Sequence, residues 1–235
     1  MSTIEAIKRE AERRGITRLC HFTPSRNLVH ILTGETGILA TQSLQTSDSS
    51  VFTSTDPNRL DRHEKYICCS IEYPNVFYFN LAQSKDKLFK DWALLFIDSK
   101  YLWLSGTRFS PVNAATGSGR YISEGEKAFL EMFAPSVEGA RGNVFSRGSK
   151  HLISCPTDNQ AEVLLPDRIA MEDILAIAVA TKEQAKNEIA RLRILGQSED
   201  KFKFVVAPDL FDKKELPNSI RNGKRPKEIL FESEE

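Results

Sequence analysis

The chain has 235 residues, 40% of them hydrophobic and 27% charged, a globular mixture long enough to bury one core without metal or disulfide support. Its 32 basic and 32 acidic residues cancel, which excludes a global field drawing it to nucleic acid, so any contact with a polyanion has to use a local patch. No stretch approaches the length of a membrane span and the N-terminus lacks the apolar run of a secretory signal, so the expectation is a cytoplasmic protein without membrane contact whose four cysteines stay reduced.

Ser2-Thr3-Ile4-Glu5 has capping-box spacing, and Ile4, Ile7 and Ala11 share a helical face until Gly15, which predicts an N-terminal amphipathic helix within residues 1–17. Residues 18–23 read as a strand, Pro24-Ser25 as a turn, and Leu28, Val29, Ile31 and Leu32 as the buried side of a helix ending near Gly34. A short strand follows at 37–40. From Thr41 to about Pro57, Ser, Thr and Asp dominate without periodicity, the mark of a long functional or mobile loop. Residues 66–71 form a compact apolar strand in which Cys68 and Cys69 point to opposite faces and share neither a metal nor an easy disulfide. Phe77-Tyr78-Phe79 reads as buried aromatic packing, 85–87 as a solvated linker and 92–97 as a buried strand. Residues 101–109 fit either an edge strand or a loop. Ser123-Glu124-Gly125-Glu126 again has capping-box spacing, with Ala128, Phe129, Met132 and Phe133 on the buried face of a helix that Pro135 ends.

Residues 138–151 are polar and Gly-spaced, carrying Arg141, Arg147, Lys150 and His151 around Phe145. Cations for phosphates and an aromatic ring for a base are what single-stranded nucleic acid binding requires, although a solvated basic loop has the same composition. Next, the turn Thr157-Asp158-Asn159-Gln160 runs into Ala161-Glu162-Val163-Leu164-Leu165-Pro166. The apolar run suits a buried strand, which would hold Glu162 on rigid backbone at its mouth, facing a cleft; by spacing alone an edge Glu in water is the commoner case. Residues 174–180 read as a strand, 182–195 as a helix with Ala185, Ile189 and Leu192 inward, and 202–207 as a last strand, before a charged tail over 212–235. Mixed strands and helices without a repeat argue for one α+β domain over 18–211 rather than a doubly wound sheet. The His and Cys residues show no ligand spacing, so no metal is expected. Gly117-Ser118-Gly119 lacks the strand, helix and Lys context of a phosphate loop and reads as a flexible turn.

Three blocks, in this order, resemble the DarT-type ADP-ribosyltransferases, toxins that attach ADP-ribose from NAD to bases of single-stranded DNA. Leu19-Cys20-His21-Phe22-Thr23, with Asn27-Leu28 and Ile31-Leu32, is similar to the family's NAD-binding strand and the helix after it. Asn58-Arg59-Leu60-Asp61, with Tyr66-Ile67-Cys68-Cys69-Ser70-Ile71 and Tyr73-Pro74-Asn75, resembles the block carrying its catalytic Arg, and Asn159-Gln160-Ala161-Glu162-Val163-Leu164-Leu165 its catalytic strand. The resemblance runs from Leu19 to about Ala180. It implies an ADP-ribosyltransferase-like α+β fold, two small β-sheets around an NAD cleft with flanking helices.

It also implies roles. Glu162 and Arg59 match catalytic positions, the first orienting ribose and moving the proton of the DNA base, the second contacting NAD and activating the acceptor. His21, Phe22, Thr23 and Leu39, with Arg59, match NAD-binding positions, and Arg141, Phe145, Arg147 and Lys150 occupy the place of the DNA-recognition loop. By residue type alone, Arg59 reads equally as a solvated loop Arg, and His21 more often as a core His. Many relatives resemble Arg-Leu-Asp-Gly where this chain has Arg59-Leu60-Asp61-Arg62-His63, which makes Arg62 a rival to Arg59. The implied partners are single-stranded DNA and an antitoxin that removes the modification. Asn58-Arg59-Leu60-Asp61 and Asn113-Ala114-Ala115 look closer to the branch that modifies guanosine than to the thymidine branch. Rival expectations are an ADP-ribosyltransferase acting on RNA or protein, a non-enzymatic NAD or nucleic-acid binding module of the same fold, and a nuclease-type toxin.

Overall fold

The computed structural model describes residues 2–34, 36–47, 60–198 and 201–232. The first helix, α1 (Thr3–Arg14), forms the capping box that the sequence predicts: Ser2 Oγ accepts from the Glu5 N–H while the Glu5 carboxylate accepts from the Ser2 N–H. It buries Ala6, Ile7 and Ala11, leaving Ile4 exposed. Strand β1 (Arg18–Pro24), helix α2 (Leu28–Thr33) and strand β2 (Ile38–Leu39) follow as expected. The segment expected as a loop from Thr41 instead starts with helix α3 (Thr41–Ser47); its remainder to Pro57 lies outside the described residues.

Strand β3 (Tyr66–Ile71) leads into helix α4 (Val76–Lys85), where the sequence suggested only aromatic packing. Asn75 caps this helix, accepting from the Tyr78 N–H, and helical geometry buries Phe79 while turning Phe77 to solvent. Beyond β4 (Trp92–Asp98), a 3-10 turn at Ser99–Trp103 and strand β5 (Arg108–Ser110) settle the ambiguous segment. Strand β6 (Ser123–Glu124) then precedes helix α5 (Gly125–Glu131), which has no side-chain cap because Ser123 pairs with Phe109 in the sheet. The capping box expected there does not form. The remaining elements are β7 (Ser136–Glu138), β8 (Val144–Ser146), β9 (Glu162–Pro166), β10 (Arg168–Ile169), β11 (Ile174–Val179), α6 (Lys182–Ile194), β12 (Phe204–Val206), α7 (Glu215–Arg221) and β13 (Ile229–Leu230).

The main sheet has the order β13-β12-β11-β4-β1-β3-β9-β5-β6. Strand β4 is apolar from Trp92 to Ile97 because it is covered on both faces: Ala93, Leu95 and Ile97 enter one core, Trp92, Leu94 and Phe96 the other. Its pairing with β1 is complete, from Arg18↔Asp98 to Pro24↔Trp92. The β1–β3 pairing covers only Leu19↔Ile71 and Cys20↔Ser70. Beyond Cys20 these strands part, so the two small sheets expected from the resemblance are joined through this one short seam into a single nine-stranded sheet. The C-terminal segment is not a bare charged tail: α7 buries Leu216, Pro217 and Ile220, β13 pairs with β12, and Arg18 stacks on Phe96 while forking onto Glu228. Among the described residues no helix is long and apolar enough to cross a membrane.

Candidate active site

A cavity of about 260 Å³ opens where β1 and β3 separate. His21, Phe22 and Thr23 of β1 line it on one side, Cys68 and Ser70 of β3 on the other, Leu39 from β2 and Tyr78 from α4 flank it, and Glu162 and the 113–115 loop reach into it. His21 spans the gap between the strands: its Nδ1 lies 2.8 Å from the Cys68 carbonyl oxygen. A carbonyl only accepts, so Nδ1 carries the proton. Thr23 is buried, its Oγ1 accepting from Asn27 Nδ2 at 2.9 Å, which ties β1 to the turn before α2. Phe22 packs against Tyr78, Phe79 and Trp92, so it forms a wall rather than a mobile flap.

Glu162 is the first residue of β9, opposite Ser110 of β5, and only 7% exposed. The turn before it is pinned: Thr157 Oγ1 donates to the Ala134 carbonyl at 2.6 Å, and Asp158 Oδ1 accepts from the Gln160 N–H at 2.9 Å. Its carboxylate faces N–H donors. Oε1 accepts from Asn75 Nδ2 at 3.2 Å and Asn113 Nδ2 at 3.3 Å, and Oε2 from the Ala114 N–H at 2.9 Å. Both amides are orientated by their other ends, because Asn75 Oδ1 accepts from the Tyr78 N–H and Asn113 Oδ1 from the Ala115 N–H. An ionised carboxylate, which can only accept, is thus met by donors that cannot turn away. Sequence reasoning placed both asparagines in family-like blocks, and the 113–115 block near the cleft that it now lines, but gave neither a chemical task. The available signals were local: an Asn directly before an apolar helical run, and an Asn-Ala-Ala turn.

Arg59 lies outside the described residues. The residues just beyond it are fixed: Leu60 and Asp61 line the cavity, Asp61 Oδ1 accepts from the His63 N–H at 3.3 Å, and Cys68 Sγ donates to Asp61 Oδ2 at 3.8 Å. Arg108 Nη1 donates to His63 Nε2 at 2.9 Å, leaving His63 Nδ1–H to bond the Asp61 carbonyl at 2.6 Å. Gly119, at φ 87, presses against that same carbonyl, where an added Cβ would lie 2.6 Å away; the turn expected to be flexible is a close backbone contact. Arg62, the rival to Arg59, is exposed, is not among the cavity-lining residues, and has φ 61, the left-handed backbone that glycine adopts without strain.

The basic segment forms the β7–β8 hairpin and the loop after it, and none of its residues lines the cavity. Arg147 is a structural clamp: Nη1 donates to the Cys155 carbonyl at 2.8 Å and Nη2 to the Leu152 carbonyl at 2.7 Å. These bonds satisfy carbonyls of the loop feeding β9, a task within the chain that the expected DNA contact did not include. His151 is buried, its Nε2 donating to the Pro156 carbonyl at 3.0 Å, and burial pushes it down to about 4, so it supplies no cation near neutrality. Lys150 is exposed, Phe145 is half-buried against Gly139, and the Arg141 side chain lies outside the described residues. Among the described residues no group of His, Cys, Asp or Glu is placed to hold a metal.

The family profile described as "DarT: ssDNA thymidine ADP-ribosyltransferase" matches residues 20–212. Comparison with curated protein sequences gives no match. Among solved structures, the DarT of Thermus sp. 2.9 in complex with NAD+ is 12% identical with a TM-score of 0.57, covering 83% of this chain and 98% of its own. The same protein with ADP-ribosylated single-stranded DNA is 14% identical with a TM-score of 0.56, over 84% and 97%. Thermosipho africanus DarTG with ADP-ribose is 14% identical with a TM-score of 0.55; the match covers 83% of this chain, which spans 51% of that one. At such identities the structural likeness speaks for the fold, the ADP-ribosyltransferase-like α+β architecture.

Proposed function

Since the chain belongs to the DarT family of single-stranded-DNA ADP-ribosyltransferases, we propose that the cavity between β1 and β3 receives NAD and that Glu162 serves the transfer of its ADP-ribose to a DNA base. One observation carries the assignment: a buried carboxylate at the cavity wall, gripped by Asn75, Asn113 and the Ala114 N–H. Breaking the bond between nicotinamide and ribose develops positive charge on the sugar, and fixed negative charge stabilises that state without reorganisation. The same carboxylate can accept the proton that leaves the DNA base. His21, Phe22, Thr23 and Leu39 would hold the nicotinamide riboside half, for which a 260 Å³ enclosure is suited. Arg59, two residues before the cavity-lining Asp61, would supply the guanidinium for the phosphates.

The finer assignments are a toxin acting on guanosine, countered by an antitoxin that removes the modification. The family description names thymidine, whereas the Asn58-Arg59-Leu60-Asp61 and Asn113-Ala114-Ala115 blocks resemble the guanosine branch. Incubating the protein with NAD and single-base oligonucleotides, with RNA and protein as parallel acceptors, and reading mass by spectrometry tests donor, acceptor and base together. The expected result is one ADP-ribose added to the guanosine-containing strand, reduced about 10²- to 10³-fold by Glu162→Gln. Labelling of RNA or protein in preference to DNA would overturn the acceptor, and unchanged labelling by the variant would overturn the role of Glu162.

A further inference from the structure

We propose that Asn75 is a positioning residue for the transfer reaction, coupling the first turn of α4 to the orientation of the Glu162 carboxylate. This deepens the proposed function and rests on it. Asn75 is 1% exposed and held at every polar atom of its backbone and at both ends of its amide. Its N–H donates to Ser70 Oγ at 3.1 Å, its carbonyl accepts from the Phe79 N–H at 2.9 Å, Oδ1 accepts from the Tyr78 N–H at 3.1 Å, and Nδ2 donates to Glu162 Oε1 at 3.2 Å. A backbone N–H can only donate, so the cap dictates which face of the amide meets Glu162. The helix start therefore acts as a jig: β3 and α4 fix Asn75, and Asn75 fixes one oxygen of the carboxylate that β9 delivers. Asn113 and Ala114 hold the carboxylate from a different loop, so removing Asn75 leaves both oxygens bonded but takes from Oε1 the one of these donors that is fixed by β3 and α4.

A residue that merely caps α4 makes a different prediction from one that also aims a carboxylate. Ser and Asp both cap helices well, and neither can donate an amide N–H to Glu162. If capping were all, Asn75→Ser and Asn75→Asp would behave as wild type. Positioning predicts that Asn75→Ser melts within a few degrees of wild type, keeps KM for NAD within about threefold, and loses roughly 10- to 100-fold in kcat for nicotinamide release. Asn75→Asp sets a second carboxylate beside Oε1, so the acidic limb of its kcat against pH moves up by a unit or more.

Wild-type kcat and pH profile in both variants, or a loss confined to KM, would overturn the proposal. Should Asn75→Asp fail to fold, Asn75→Ser alone decides by the kcat and KM split. Nicotinamide release is read in the wild type alongside DNA labelling, which separates the two ideas. Release without DNA labelling sinks only the acceptor and leaves Asn75 measurable; no release at all sinks the proposed function itself, and the role of Asn75 with it.

Discussion

Asp158 sits in the turn that delivers Glu162 and is 3% exposed, and burial pushes its carboxyl up to about 6. The folded chain thus holds this proton more tightly than the unfolded chain, whose value is near 4. Its contribution to stability is greatest below pH of about 4, falls as pH rises, and has been lost above about 6. The substitution Asp158→Asn would keep the acceptor for the Gln160 N–H without the charge. Urea titrations should therefore show Asp158→Asn gaining on wild type between pH 4 and 7, by about 1 to 3 kcal/mol; a pH-independent difference would mean that Asp158 does not titrate in this window. Arg62 is the second case. Its left-handed backbone costs about 1 kcal/mol that glycine avoids, less the entropy glycine adds. Arg62→Gly should be neutral to slightly stabilising and keep nicotinamide release, while Arg59→Ala should abolish it. The reverse pattern of activities would assign the catalytic guanidinium to Arg62.

At the scale of elements, two cations among the described side chains of the hairpin and loop before β9 have different tasks. Arg147 satisfies the Leu152 and Cys155 carbonyls, whereas Lys150 stands in solvent. Arg147→Ala should lower the melting temperature by several degrees and reduce nicotinamide release and DNA labelling together, because orphaned buried carbonyls cost about 1 to 3 kcal/mol each. Lys150→Ala should leave the melting temperature and nicotinamide release alone, raise KM for DNA, and lessen its salt dependence by about one phosphate contact. Equal effects of the two variants on every readout would refute that division. The strands β1, β3, β4, β9 and β11 were legible because runs such as Trp92-Ala93-Leu94-Leu95-Phe96-Ile97 are buried on both sheet faces. Helix α4 was not, since an aromatic run after Asn75 carries no clear period, and α5 lost its predicted cap because tertiary pairing recruited Ser123 into β6.

For the whole molecule, stability is divided between two cores on opposite faces of one sheet, and the C-terminal segment belongs to the second. Leu216 and Ile220 pack there with Leu210 and Phe79, and β13 covers the edge of β12. Ending the chain at Phe211 should expose that edge and lower the urea midpoint enough to leave the protein partly unfolded at 37 °C; a midpoint equal to wild type would show that α7 and β13 add nothing. A second prediction concerns the cavity. Glu162→Gln is expected to bind NAD while turning it over about 10²- to 10³-fold more slowly, so NAD at about 100 times its Kd should raise its unfolding free energy by about 2.7 kcal/mol. No thermal shift would place the NAD site elsewhere.

The chain's own order of residues determined the seam strands, the position of Glu162 at the head of an apolar strand and the family resemblance, because hydrophobic period and short motifs are local properties. Only the folded chain decided that β1 and β3 part after Cys20, that Asn75 and Asn113 grip Glu162, and that Arg147 faces inward. Most of those contacts join residues tens of positions apart, and a hydrogen bond leaves no trace in sequence until backbone geometry brings its donor and acceptor within reach.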